Sequence, residues 1–246
     1  MKISADLHIH TALSTCGSLE MSPSAIIRRV KELSLDVIAI TDHNSIENSF
    51  FVAELGEKDG IKVIYGMEAQ TMEEVHILCY FEHRGDIEGF YSEIYDYLPM
   101  MKNDPEYFGD QVVVDSENNI VRFEEKLLLN SLDIDIETLF EKVKHYNGYM
   151  IPAHIEREQF GILVNLGFIP ESLKNSVFEI SYNAELKEIF EFYPFLRNNN
   201  LISNSDAHYL EDIARAYTVY DVTEKSINDI YNAALKGEYR VIRGKK

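Results

Sequence analysis

Two histidines stand one residue apart in Asp6-Leu7-His8-Ile9-His10, and a cysteine, Cys16, follows six residues later. Side chains at i and i+2 share one face of a strand, so both imidazoles point the same way. Alone, such a pair is a weak signal. Its weight comes from repetition: Asp42-His43, Glu68, His76, His154 and Asp206-Ala207-His208 also fall in or just after apolar runs, and six of the eight histidines belong to this set. Neutral imidazole suits zinc, iron and manganese, and carboxylates balance their charge. A structural zinc site closes with four ligands, commonly several cysteines. This chain offers many more donors and one nearby thiol, so the pattern predicts more than one cation. Two cations about 3.5 to 4 Å apart can clamp the attacking and leaving oxygens of a displacement, which is hydrolytic chemistry.

The runs that must position these residues cover 2–10, 36–41, 61–65, 75–81, 149–153, 177–181 and 201–203, about seven strands. Several are separated by helix-like stretches, and near-continuous apolar strands are those of a parallel sheet buried on both faces. In Met21-Ser22-Pro23-Ser24, Ser22 offers an N-cap and Pro23 the first helical position, with Ile26, Ile27, Val30 and Leu33 on one face. The 246 residues match the roughly 250 of one α/β barrel, so a single domain over 1–246 is expected, with the polar strand ends on one face. The stretch 82–147 breaks the rhythm with a helix-like segment, a hairpin around Glu117-Asn118-Asn119 and a second helix. It is expected to be an insertion serving as a lid over the barrel mouth. Its Phe90, Tyr91, Tyr95, Tyr97, Tyr107 and Phe108 suit stacking on a base or enclosing a sugar, although packing is the commoner use of such residues.

The composition, 46% hydrophobic and 26% charged, is ordinary for a globular protein. No apolar run approaches the roughly 20 residues of a membrane span, and no secretory h-region is visible at the N-terminus. Two cysteines give no disulfide framework and suit a reducing, cytoplasmic setting. The formal charge of −19 repels polyanions, which disfavours a long nucleic acid and favours a small phosphorylated substrate such as a nucleotide or sugar phosphate. Part of that acidity has a use if cations must be offset. The oligomeric state is not legible.

Taken in order, DLHIH, ITDHN, GMEA, a histidine in the following strand, PAHIE and NSDAH resemble the polymerase and histidinol phosphatase (PHP) family of metal-dependent phosphoesterases, from Asp6 to His208. The resemblance implies an α/β fold, a distorted TIM-like (β/α)7 barrel, with two or three divalent metal ions (Zn, Fe or Mn) that hydrolyse a phosphate ester. Carried over by position, His8, His10, Glu68 and Asp206 hold the first metal. Glu68, His76 and His154 hold the second, and His43, His208 and Cys16 the third. The family commonly places a histidine or an acid at position 16; a thiolate there still ligates zinc or ferrous iron.

On this reading the metals acidify a water, the resulting hydroxide attacks phosphorus in line, and the third metal or His208 helps protonate the leaving oxygen. Arg157, three residues past His154, is the nearest guanidinium for phosphate oxygens. Asp6 and Asp42 are placed to orient imidazoles, and Ser14, Asn44 and Asn183 to add polar contacts. Cys79 is assigned to the core, His83 and His145 to the surface. Two other readings compete. A metal-dependent amidohydrolase also begins with His-x-His but often bridges its metals with a lysine, where this chain has Glu68. A noncatalytic metal-binding regulatory module has no physical need for so many polar groups facing one cleft.

Overall fold

The computed structural model describes residues 1–244. From the N-terminus the elements are β1 (Lys2–Ile9), α1 (Pro23–Glu32), β2 (Val37–Ile40), α2 (Glu47–Asp59), β3 (Lys62–Gln70), β4 (His76–Phe81), α3 (Arg84–Ile94), α4 (Pro105–Phe108), β5 (Val112–Val114) and β6 (Ile120–Phe123). There follow α5 (Ile136–His145), β7 (Tyr149–Pro152), α6 (Ile162–Asn165), β8 (Val177–Glu179), α7 (Leu186–Phe192), β9 (Asn200–Ile202), β10 (Ala216–Asp221), α8 (Ile227–Leu235) and β11 (Tyr239–Arg243). Pro23 does open α1, which buries Ile26, Ile27 and Val30. At the end of α2, Gly60 takes φ +73°, a left-handed cap that only a residue without Cβ adopts cheaply.

Seven strands form one curled sheet in the order β11-β10-β1-β2-β3-β4-β7. β1, β2 and β3 run parallel, whereas β4 is antiparallel to both β3 and β7. The reversal follows from the connection: only residues 71–75 join β3 to β4, with Thr71 N–H bonded to the Val75 carbonyl at 3.0 Å. That is far too short for a crossover helix. β7 therefore runs parallel to β3. β8 and β9 form a parallel pair beyond it, linked by Ile155 N–H to the Glu179 carbonyl at 2.9 Å. The chain after β9 returns to β1 through His10 N–H and the Ala207 carbonyl, 3.0 Å, so the sheet curls into a distorted α/β barrel. β10 and β11 extend it as antiparallel edge strands. β10 alternates buried and less buried residues and β11 has no buried residue, so neither presents a continuous apolar run in the sequence.

Ala5, Leu7, Val37, Ala39, Ile64, Leu78, Ile151 and Ile202 pack together within the barrel with Tyr80, whose hydroxyl donates to the Leu7 carbonyl at 2.7 Å. α1 and α2 cover β1 to β3 from outside through Ile26, Val30 and Val52. α3 covers β3 and β4 through Ile87 and Phe90, and α5 covers β7 through Leu139 and Val143. Within 82–147, Phe90 is thus fully buried, and Tyr91, Tyr95 and Tyr97 pack against the same cluster. Tyr107 is exposed. Cys79 is buried in that core, where burial pushes its thiol pKa up, and His83 and His145 are exposed. No helix among the described residues is long and apolar enough to cross a membrane.

Candidate metal centre

The C-terminal ends of β1, β2, β3 and β7 and the first residue of β4 meet at one end of the barrel. Because β4 is reversed, His76 opens its strand yet stands opposite Gln70, which closes β3. Glu68 lies at the centre. Its carboxylate oxygens are 3.3 Å from His8 Nε2, 3.4 Å from His10 Nε2, 3.0 Å from His43 Nδ1, 3.1 Å from His76 Nδ1 and 3.2 Å from His154 Nε2. Asp206 Oδ1 lies 3.4 Å from both His8 Nε2 and His10 Nε2. His208 stacks on His10 with centroids 4.3 Å apart, and its Nδ1 is 3.0 Å from the Asp206 carbonyl. Cys16, exposed at the rim, has its thiol against His43 and His208. Asn44, His154 and Asp206 hold positive φ of 45°, 30° and 50°. Such backbone persists only where surroundings over-determine it.

Those surroundings are specific. Buried Glu179, at the end of β8, places Oε1 2.9 Å from His8 Nδ1, while its Oε2 accepts from Asn204 Nδ2 at 2.7 Å. Asn204 in turn accepts the Leu7 N–H at 3.0 Å, tying the chain after β9 to β1. His10 Nδ1 is 3.0 Å from the Ser14 hydroxyl, which donates to Asp42 at 2.7 Å. Asp42 therefore reaches an imidazole through Ser14. Asp6 does not orient an imidazole: its oxygens accept the N–H groups of Ser205 and Ala214 at 3.0 and 2.9 Å, securing the loop that carries Asp206. Asn44 donates to the carbonyls of Leu128 and Asn130, holding part of 82–147 against the site. Arg157 pairs with Asp206 at 2.7 Å, and exposed Asn183 lies at the edge of the cleft.

Burial opposes every charge here, and the partners decide the outcome. It pushes Glu68 and Asp206 up, but the imidazoles of His76, His8 and His43 hold Glu68 well below the usual carboxylate range, and His8 and its neighbours do so for Asp206. His8 is raised despite burial because Glu179, Glu68 and Asp206 surround it. Burial lowers His10 well below its ordinary value, helped by His208 and His43, and brings His76 to about 4. Protein crowding raises Cys16, yet His43 and His208 outweigh it and bring the thiol to about 6.

One orphaned atom tests whether cations fit. His76 Nε2 faces the Gln70 side-chain carbonyl at 3.1 Å and must donate to it. Nδ1 is then a bare acceptor, buried without a hydrogen-bond partner, 3.1 Å from the Glu68 carboxylate. Two acceptors face each other, an arrangement a cation relieves. Ligand atoms of His8, His10 and Glu68 lie within 4.8 Å of one another, as do those of His43, Glu68 and His76, and those of His10, His43 and His208. The donors fit divalent cations held among Glu68 and the histidines.

The sequence reading did not single out Glu179, Gln70, Phe160, Tyr182 or Arg215. Glu179 ends an apolar run as Glu68 does, and that signal was available. Phe160, at φ +63°, stacks on His76 at 4.3 Å, and Arg215 lies over Tyr182 at 3.7 Å. Neither contact has a signature in linear spacing.

A curled α/β barrel with acidic and imidazole ligands converging at one end defines a class of metal-dependent barrel proteins. The chain belongs to the PHP domain family, whose pattern matches residues 6–159, and a PHP-associated pattern matches 197–239. The PolC-type DNA polymerase III of Oceanobacillus iheyensis is 32% identical over 77 residues, 31% of this chain and 5% of the polymerase. The lesion-specific endonuclease Q of Pyrococcus furiosus superposes with TM-score 0.71 at 17% identity, over 98% of this chain and 58% of that one. A two-domain protein of Bacteroides vulgatus, described as containing a predicted PHP-like metal-dependent phosphoesterase, superposes with TM-score 0.61 at 16% identity, over 99% of this chain and 65% of that one. The chain thus spans a twentieth of the polymerase and somewhat over half of the endonuclease.

The expectation against a long nucleic acid is corrected by a second endonuclease Q structure, a complex with a 27-mer duplex carrying an abasic lesion at the active site (TM-score 0.71, 18% identity, 96% of this chain and 57% of that one). The fold accommodates duplex DNA in that protein. A net charge of −19 is a sum over the whole chain and does not fix the field at the cleft, where Arg157 and Arg215 stand.

Proposed function

We propose that the chain is a metal-dependent phosphoesterase working through two or three zinc, iron or manganese ions. The observation that carries the reading is Glu68, one buried carboxylate facing five imidazoles. In the proposed assignment His8, His10, Glu68 and Asp206 hold one cation, Glu68, His76 and His154 a second, and His43, His208 and Cys16 a third. Divalent cations held there supply Lewis acidity, acidifying water and offsetting charge on phosphoryl oxygens.

The protein's own groups do the rest. Glu179 and Ser14 orient His8 and His10 through their Nδ1 atoms, and Gln70 fixes His76 with Nδ1 toward Glu68. Arg157 lies beside Asp206, placed to exchange that carboxylate for a phosphate oxygen. His208 has Nδ1 at the Asp206 carbonyl, leaving its other nitrogen for a cation or a leaving oxygen. We assign 82–147 as an insertion in a single domain, reaching the site through the segment bonded to Asn44. The substrate range includes nucleotides and sugar phosphates, and the likeness to endonuclease Q adds nucleic acid.

The test is release of phosphate or alcohol, with added manganese, from aryl phosphates, nucleotides, sugar phosphates and an oligonucleotide with an abasic site. Turnover should vanish on chelation and in Glu68→Ala. No turnover across the panel by protein shown to be metal-loaded rejects the reading in favour of an amidohydrolase or a noncatalytic module.

A further inference from the structure

Resting on the phosphoesterase reading, we propose that the position walled by Cys16, His43 and His208 is a zinc-selective site in a centre of mixed composition, while the positions around Glu68 admit manganese. The ligand atoms of His10, His43 and His208 converge within 4.8 Å of one another, and the Cys16 thiol packs against His43 and His208. No sulfur stands at the other two positions, where carboxylate oxygens of Glu68 and Asp206 meet the imidazoles. The second cysteine of the chain, Cys79, is buried in the core.

The donor types separate the positions. Thiolate is a soft donor that favours zinc, at about 2.3 Å, whereas carboxylate oxygen suits manganese. Imidazole alone already ranks zinc above manganese, and sulfur widens that gap. Bound as a thiolate, Cys16 also brings a negative charge that an imidazole at position 16 would not. The residue types common there in the family, histidine or an acid, carry no sulfur selectivity, so the cysteine changes which ion this position holds.

The loop that carries the thiol is built around the two histidines. Ser14 N–H donates to the Thr11 carbonyl at 3.1 Å and Gly17 N–H to the Ser14 carbonyl at 2.8 Å, which coils the chain on either side of Cys16. Ser18 N–H then donates to the His208 carbonyl at 2.9 Å, and the Ser14 hydroxyl accepts the His43 N–H at 3.2 Å. Gly17 fits because a Cβ there would stand 3.1 Å from the Thr11 carbonyl oxygen and 3.2 Å from that of Ser14. The rings are oriented too. His208 Nδ1 lies 3.0 Å from the Asp206 carbonyl and His43 Nδ1 3.0 Å from the Glu68 carboxylate. Both oxygens only accept, so each Nδ1 keeps its hydrogen and each Nε2 has a free lone pair. A thiol packed against both rings has one hydrogen for two lone pairs, and a cation taken by sulfur and nitrogen needs none.

The experiment titrates cobalt(II), a spectroscopic stand-in for zinc, into the metal-free chain. A near-ultraviolet sulfur-to-cobalt charge-transfer band should grow beside the visible d–d bands, and Cys16→Ser should lose the first and keep the second. Zinc at about one equivalent should abolish the charge-transfer band, and manganese at about ten-fold excess should leave it. A second measurement needs no variant. Cys16 is exposed and Cys79 buried, so a disulfide thiol reagent labels Cys16. Zinc should slow that labelling at least about ten-fold, and manganese at the same concentration less than about three-fold. Visible bands without the charge-transfer band, or equal protection by zinc and manganese, overturns the zinc-selective site and leaves the phosphoesterase reading to its own assay. A chain that binds no cobalt overturns both.

Discussion

Oε1 of Glu179 lies 2.9 Å from Nδ1 of His8, and both side chains are buried. The contact keeps a hydrogen on Nδ1 and leaves Nε2 as the nitrogen that faces Glu68 and Asp206. Partners of this kind typically change metal affinity by 10- to 100-fold when removed. Glu179→Gln, which keeps the shape but not the charge, should weaken metal binding about ten-fold, and Glu179→Ala further. Titration calorimetry against manganese or zinc checks this, with circular dichroism confirming the fold. Unchanged affinity in both variants removes Glu179 from the centre.

Metal removal should also be felt as instability. Stripping cations leaves crowded carboxylates and imidazoles, whereas a ligand bound only by the folded state at 100 times its Kd adds about 2.7 kcal/mol. For a chain of this size that is a rise of roughly 5 to 10 °C in Tm. Differential scanning fluorimetry with chelator, then with added zinc or manganese, measures it. A Tm indifferent to metal argues against a folded-state site.

Arg157 is a guanidinium at the ligand cluster, paired with Asp206 at 2.7 Å. Arg157→Ala should lower kcat/KM about 10- to 100-fold, the range of a lost charge-assisted hydrogen bond, and Arg157→Lys should recover only part of it. Steady-state kinetics on an aryl phosphate decides. Full activity in Arg157→Ala would show that Asp206 is its sole business.

Within the 82–147 segment, Glu124 governs an acid limb. Its carboxylate meets Arg122 at 2.8 Å, the Tyr95 hydroxyl at 2.9 Å and Lys126 N–H at 2.9 Å, while Arg122 also pairs with Glu47. Burial raises its pKa, but these partners more than compensate and hold it below its ordinary 4.5. A depressed folded pKa means that the unfolded chain takes the proton first, so this stabilisation is full above 4.5 and is lost as pH falls through the lower folded value. Urea midpoints of the native chain should therefore drop from pH 5 to pH 3 more steeply than those of Glu124→Gln. Parallel curves would contradict the assignment.

Phe90 tests whether the aromatics of 82–147 serve packing. Phe90→Ala removes a fully buried ring from the cluster with Phe81 and Ile87 and should cost about 3 to 5 kcal/mol. KM should stay within about two-fold in protein that remains folded. A large KM change with little loss of stability would return Phe90 to the substrate.

The strands around the centre were legible because buried strands read as continuous apolar runs ending in polar residues. All seven runs became strands, and the ligand types stood at their ends. Two features escaped for physical reasons. The reversal of β4 depends on a connection of residues 71–75 whose composition carries no obvious turn signal, so His76 was read as lying within a strand and not at its start. Asp6 and Asp42 look equivalent in sequence, each two residues or fewer from a histidine, yet one binds only backbone N–H groups of a distant loop and the other binds Thr11 and the Ser14 hydroxyl that meets His10. That distinction depends on which loop lies opposite, which is long-range information. Net charge misled for a related reason, since it averages away the arginines at the cleft.

The reversed strand has a further consequence. Since β4 runs away from the metal-facing end and β7 runs back toward it, Tyr80 and Tyr149 stand side by side at the remote end. The chain therefore departs into 82–147 and re-enters the sheet at neighbouring points. Its middle, between the covering helices α3 and α5, crosses to the metal-facing end, where Leu128 and Asn130 accept from Asn44 and Leu132 N–H bonds to the Gln70 carbonyl. Both of its ends thus join the sheet away from His76 and His154, while its middle is bonded beside them. A change in this segment therefore reaches the surroundings of the cleft without passing through the strands that carry the ligands.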